Sequence, residues 1–273
     1  MMSTSSPDTS KGGYRRETVC LLLAAVLLGA VVRFSGLTER GLAEDEAHKI
    51  RTVRQYQRGE FTGNAEHPML MKGLILVSVA AADLWNRGGA EAAGGPIPEE
   101  VAIRIPGILA GALTVIPLFL VGAALFSRRV GLLAAFLWAV GIHAVFINQV
   151  AKEDTLMVFF LLWGIYFHWR MKTTPDAAAR RKRAFYLLSA ACFGLLLASK
   201  YFPHFWGVTL LFFFLHRKFN PGLYPPDRYG KRELLLYVAV MGAVFLLANP
   251  MILHPARSEE HTSELQSRQV ISY

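Results

Sequence analysis

The chain has 273 residues, 53% hydrophobic and only 18% charged, with a mean hydropathy of +0.34. Soluble domains run at about 45–50% apolar and about 25% charged, so the composition excludes an ordinary soluble domain and points to a polytopic membrane protein. The formal net charge of +9 would suit nucleic acid in a soluble protein. Here the basic residues stand in short clusters between apolar runs, among them Arg15-Arg16, Arg128-Arg129, Arg180 to Arg183 and Arg217-Lys218. That is the pattern of cytoplasmic loops under the positive-inside rule, and no nucleic-acid partner is expected.

Residues 1–17 read as a disordered cytoplasmic N-terminus rich in Ser, Thr and Gly. The first span, 18–34, follows Arg15-Arg16 and therefore runs outward. Cys20, inside it, and Cys192 both lie in apolar runs, which argues for buried thiols rather than a disulfide. Beyond the span comes a polar stretch, "GLAEDEAHKIRTVRQYQRGEFTGNAEHPMLMKG". Glu44, Asp45 and Glu46 are adjacent, and mutual repulsion would raise a carboxyl toward the range of a general base. Glu66, His67 and Pro68 close the stretch, with the proline suited to a first helical turn.

The apolar run 69–85 is expected to be a juxtamembrane or re-entrant helix inside one long external loop, 35–100. Counting it as a crossing would put every later basic cluster outside. Runs at 101–126, 130–147, 155–169, 184–199, 202–215 and 233–253 complete an expected total of seven spans. The pair at 185–215 is short for two crossings and is expected to be tilted, or broken near Lys200-Tyr201-Phe202-Pro203. External loops then fall at 35–100, 148–154, near 200–203 and after 253.

Ionisable groups at membrane depth are costly and mark function. Besides the two acidic clusters, Lys152, Glu153 and Asp154 precede the fourth span, Lys200 sits between the fifth and sixth, and Arg104 lies at the outer end of the second. Carboxylates and cations thus gather on one external face. Acids alone would suit cation transport; acids with lysine and arginine at headgroup level suit a lipid-phosphate substrate and an acceptor that loses a proton.

At these residues the sequence resembles the protein O-mannosyltransferase family, glycosyltransferase family 39 of the GT-C class. "EDEAHK" is similar to its Asp-Glu motif, and "AEHPMLMKGLIL" to its His-Pro-Pro-Leu-x-Lys motif with Met69 for the second proline. "RIPGILAGALTVIPL" resembles its second-span segment. "NQVAKEDTLMVFF" resembles its Ser-Arg-x-x-x-x-Asp motif, with Gln149 and Val150 where Ser-Arg is usual. "GLLLASKYFPHF" resembles its Gly-Leu-Ala-Leu-x-x-Lys segment. The resemblance covers about 20–255.

It implies an all-α fold, a GT-C-type N-terminal transmembrane module over 18–256, truncated relative to the family. It also implies an inverting transfer of a sugar, mannose first, from a polyprenyl-phosphate donor to protein Ser/Thr on the external face of a bacterial inner membrane. Asp45 would be the general base, supported by Glu46. His48, Glu66, His67 and Asp154 would line the sugar and acceptor site. Arg104, Lys200 and Lys152 would hold the lipid phosphate. A divalent metal stays open. The related aminoarabinose transferases share the architecture, so a lipid or glycan acceptor is an alternative, as is a lipid-linked sugar transporter. Residues 257–273 resemble a translated sequencing adapter and are expected not to be natural sequence.

Overall fold

The computed structural model describes residues 16–61, 63–64, 67–88, 95–201 and 231–253. All regular structure among them is helical. In chain order the helices are α1 (Arg16–Phe34), α2 (Glu44–Gln57), α3 (Met69–Gly88), α4 (Glu99–Leu113), α5 (Val115–Leu125), α6 (Arg128–Val140) and α7 (Ile142–Asn148). Then come α8 (Glu153–Thr173), α9 (Ala179–Ser199) and α10 (Lys231–Ala248), with single 3-10 turns at Asp176–Ala178 and Pro250–Leu253.

Four stretches among the described residues are long and apolar enough to cross a membrane: α1, α3, the rod Glu99–Leu125 formed by α4 and α5, and Asp176–Ser199. The pair α6 and α7, bent by 58°, makes a fifth. The all-helical membrane architecture expected from the sequence is present. The expected sixth span, 202–215, the break near Pro203 and the tail 257–273 lie outside the described residues.

α3 has the length and hydropathy of a span, yet both of its ends are tied to one end of the bundle. The Met69 N–H donates to Asn249 Oδ1 (2.6 Å), just past α10. At the other end, Asn86 exchanges two hydrogen bonds with the Ile97 backbone, immediately before α4. Midway, Ser78 Oγ donates to Ala102 O at 2.7 Å. That carbonyl is free because Pro106, four residues on, has no N–H to offer it.

Three apolar clusters hold the helices. Ile50 and Val53 of α2 meet Met71, Ile75 and Val79 of α3 and Ile103 of α4. Tyr186, Phe193 and Leu196 of α9 meet Tyr237 and Met241 of α10. Ala25 of α1 meets Phe119 of α5 and Ala135 of α6. Where backbones approach most closely, small residues stand at the crossing. A Cβ on Gly122 of α5 would lie 2.8 Å from Gly131 Cα of α6. Gly111 of α4 faces the Asn148 side chain so closely that any added carbon would overlap it.

The bend between α6 and α7 has an identifiable support. A helix end leaves its last carbonyls without partners. Arg33, fully buried in the last turn of α1, donates to Ala139 O (2.9 Å) and Trp138 O (3.0 Å) at the end of α6. Its Nε donates to Asn148 Oδ1 (2.9 Å), and Asn148 Nδ2 donates to Thr155 Oγ1 (2.9 Å) in the first turn of α8. The link 149–152, which carries candidate functional residues, is thereby held between α1 and α8.

Candidate active site

Two helix N-termini meet at the end of the bundle where α4 begins: that of α2, opening Glu44-Asp45-Glu46, and that of α8, opening Glu153-Asp154. Carboxylates are favoured in a first helical turn, where unpaired N–H groups and the helix dipole attract negative charge. Successive helical residues point about 100° apart, following from 3.6 residues per turn. The three adjacent acids therefore separate: Glu44 and Asp45 stay exposed, and Glu46 turns inward with Lys49, Ile50 and Val53.

Glu46 is fully buried. Its Oε1 accepts from Arg104 Nε (2.8 Å) and from the Ala151 N–H (3.0 Å). Its Oε2 accepts from the second Arg104 nitrogen (2.8 Å) and reaches back to the Ala43 N–H (3.0 Å), as a third-position glutamate does at a helix start. Burial alone would push the Glu46 carboxyl up, but the Arg104 hydrogen bond and the two amides hold it below the usual glutamate value. Arg104 spends its remaining donors on the carbonyls of Leu37, Arg40 and Gly41. The pair joins α2, α4, the turn after α1 and the link before α8. Glu46, read from the sequence as assisting the base, and Arg104, read as a phosphate ligand, here face one another inside the protein.

Asp45, one residue away, lies at the rim. Its Oδ2 pairs with Lys152 Nζ at 2.9 Å, with side chains 54% and 42% exposed respectively. The hydrogen bond from Lys152 holds the Asp45 carboxyl below its ordinary value; desolvation opposes this, and the charges of Lys152, Lys49 and His67 add to it. The repulsion expected from three adjacent acids does not prevail, because the helix points them apart and a lysine from another segment intervenes. Asp154, the second residue of α8, pairs with Lys200 Nζ at 2.7 Å, both about one-third exposed. Between the rim and the buried pair, Lys49 and Glu153 form an ion pair at 3.1 Å with side chains 3% and 6% exposed.

Of the other sequence-predicted residues, His67 is exposed, and its charge acts on Asp45. The buried Lys72 Nζ donates to Asn64 O (2.6 Å) and His67 O (2.9 Å). His48 is exposed on α2. Glu66 lies outside the described residues. Asp45, Asp154, Lys152, Lys200, Glu46 and Arg104 are thus brought to one end of the bundle. Among the described residues no group of three or more His, Cys, Asp or Glu side chains could hold a metal.

Sequence reasoning missed Lys49 as a member of this network and Arg33 as its support, and gave Glu153, named beside Lys152 and Asp154, no partner. Lys49 carried a signal: it follows Asp45 by four residues and Glu46 by three, the spacings that share a helix face. The partners of Glu153 and Arg33 are distant in the chain and had none.

Residues 97–225 match the family model described as dolichyl-phosphate-mannose-protein mannosyltransferase. The matched segment is just under half of the chain. It runs from the start of α4 through the link that bears Lys152 and Asp154 to the Lys200 turn and beyond. No curated protein matches the chain. The fold is similar to that of the S. cerevisiae protein O-mannosyltransferase Pmt1-Pmt2 complex bound to the sugar donor, with a TM-score of 0.60 at 22% identity. The likeness covers 93% of this chain and 35% of that one, so the chain spans about a third of its structural relative. The all-helical membrane fold expected from the motifs is the fold present.

Proposed function

We propose that the protein is a membrane glycosyltransferase that moves mannose from a polyprenyl-phosphate donor to a hydroxyl of a protein acceptor, with inversion. The observation that carries this reading is the rim itself. Asp45 and Asp154 are accessible carboxylates there, and each stands against a lysine. A single in-line displacement at the anomeric carbon needs a base on the acceptor side and cations on the leaving phosphate. Asp45 is assigned as the base, and Asp154 with His67 and His48 as the contacts to sugar and acceptor. Lys200 and Lys152 hold the phosphate.

Glu46 and Arg104 are assigned a supporting part: their buried pair fixes the start of α2 and so the position of Asp45. α3, tied at both ends to this end of the bundle, is read as an element of the external loop 35–100, so that the rim faces the outside of the membrane. Lipid-facing apolar side chains would accommodate the polyprenyl chain.

The test is transfer of label from polyprenyl-phosphate mannose to a Ser/Thr peptide in membranes carrying the full-length protein. Asp45→Asn is expected to abolish transfer with expression unchanged. Retained transfer would sink the base assignment. Transfer to lipid rather than peptide would move the acceptor to the aminoarabinose-type alternative.

A further inference from the structure

Resting on that reading, we propose that Lys152 exchanges partners during the reaction: it holds Asp45 until the donor's phosphate replaces that carboxylate, and the release frees Asp45 to take the acceptor's proton.

Three observations converge on it. First, among the described charge pairs made by the first two turns of α2, with α4 and with the segment entering α8, only Asp45–Lys152 is open. Arg104–Glu46 and Lys49–Glu153 have side chains 6% exposed or less, whereas Asp45 and Lys152 are 54% and 42% exposed. The first two pairs can hold the helices together while the third breaks.

Second, Lys152 stands immediately before α8 in extended backbone (φ −113°, ψ 147°), outside any helical turn. Its ammonium is a compact charge on a flexible four-carbon stem, able to swing between anions without losing the paired geometry an arginine would demand. The carboxylates around it, Asp45, Glu153 and Asp154, all act on its charge. Two of them are already engaged, Glu153 by Lys49 and Asp154 by Lys200. Asp45 is therefore the partner that Lys152 can give up without leaving another pair broken.

Third, the flow of charge in the reaction matches the exchange. The bond between the anomeric carbon and the phosphate oxygen breaks, and its electron pair stays on that oxygen, so the phosphate gains a negative charge. The acceptor oxygen bonds to the anomeric carbon, and its proton passes to Asp45, which loses its negative charge. A cation placed between the two gains attraction to the phosphate as its attraction to Asp45 disappears. Its interaction is then stronger in the transition state than before, the condition for accelerating the chemical step. The carboxyl that Lys152 holds low is a poor base while the pair lasts.

Among the described residues the groups facing Asp45 are Lys152 from the link before α8, Lys49 from its own helix and His67 just before α3, with Glu44 and Glu46 beside it in sequence. Glu46 is neutralised by Arg104. Lys49 and His67 are the same in every variant below, so a difference between variants belongs to Lys152.

The experiment is the pH dependence of kcat and kcat/KM for labelled polyprenyl-phosphate mannose and a Ser/Thr peptide, in membranes carrying the full-length protein. Activity needs Asp45 ionised, so it is lost as pH falls through the carboxyl's pKa. In the wild type the acid limb of kcat/KM, which reports the free enzyme, is expected below that of kcat, which reports the loaded one. Lys152→Met is expected to raise the kcat/KM limb by about one pH unit, the low end for losing an opposite charge, closing the gap and raising KM for the donor. Lys152→Arg, which keeps the charge, is expected to keep the low kcat/KM limb. Coincident limbs in the wild type, or an unchanged gap in Lys152→Met, overturn the exchange. Full transfer by Asp45→Asn would instead overturn the base assignment, which separates the two failures.

Discussion

Asp45 and Glu46 are neighbours in the chain, but they belong to different regions of the molecule. Glu46 lies in a buried seam with Arg104, every oxygen paired. Asp45 lies on an open rim against one mobile class of side chain, a lysine. The same chemical group is thus locked into the architecture in one place and left accessible in the other. The difference comes from one residue of helical phase. It teaches that a run of acids in a motif need not be a run of catalytic acids.

The sharpest way to break the comparison is to remove the seam. Glu46→Ala leaves Arg104 buried without its counter-ion, which is expected to cost about 3–5 kcal/mol. The cost would be read as a large loss of thermal stability in detergent. Replacing both partners with apolar residues, Glu46→Leu with Arg104→Met, is expected to recover most of that stability, because no charge is left stranded. If the double variant were as unstable as the single one, the carbonyl contacts of Arg104 would outweigh the ion pair. Gly111→Ala is next in size: its methyl would overlap Asn148, and about 1–3 kcal/mol of overpacking is expected.

The seam also has a pH signature. Glu46 is held below its ordinary value, so its stabilisation is complete above the unfolded value of about 4.3. It is lost as pH falls through the depressed folded value. Acid unfolding monitored by tryptophan fluorescence is expected to shift to higher pH when Glu46 is replaced by Gln. The smallest effect belongs to the rim. Lys152→Met is expected to change stability by no more than about 1 kcal/mol, because both partners of the pair are largely exposed. A larger loss would show that the rim pair is architectural after all.

Much of this was legible in the sequence. The apolar runs marked the helices, and the ordered motifs pointed to Asp45, Asp154, Lys152, Lys200 and Arg104, which the fold brings to one end of the bundle. The assignment of parts within the site was less legible. Whether an acid faces inward depends on where its helix starts, and α2 starts at Glu44 without a side-chain cap to announce it. Arg104 looked like a phosphate ligand because the sequence does not reveal that Glu46 and three carbonyls already fill its donors. Arg33 passed unnoticed because its partners lie more than a hundred residues away, apart from its own helix.

The most direct measurement compares Asp45→Asn and Glu46→Gln side by side for mannose transfer and thermal midpoint in the full-length protein. The account predicts that Asp45→Asn loses transfer at an unchanged midpoint, whereas Glu46→Gln lowers the midpoint and keeps measurable transfer below it. Transfer surviving in Asp45→Asn but vanishing in a stably folded Glu46→Gln would contradict the account and make the buried carboxylate the chemical one.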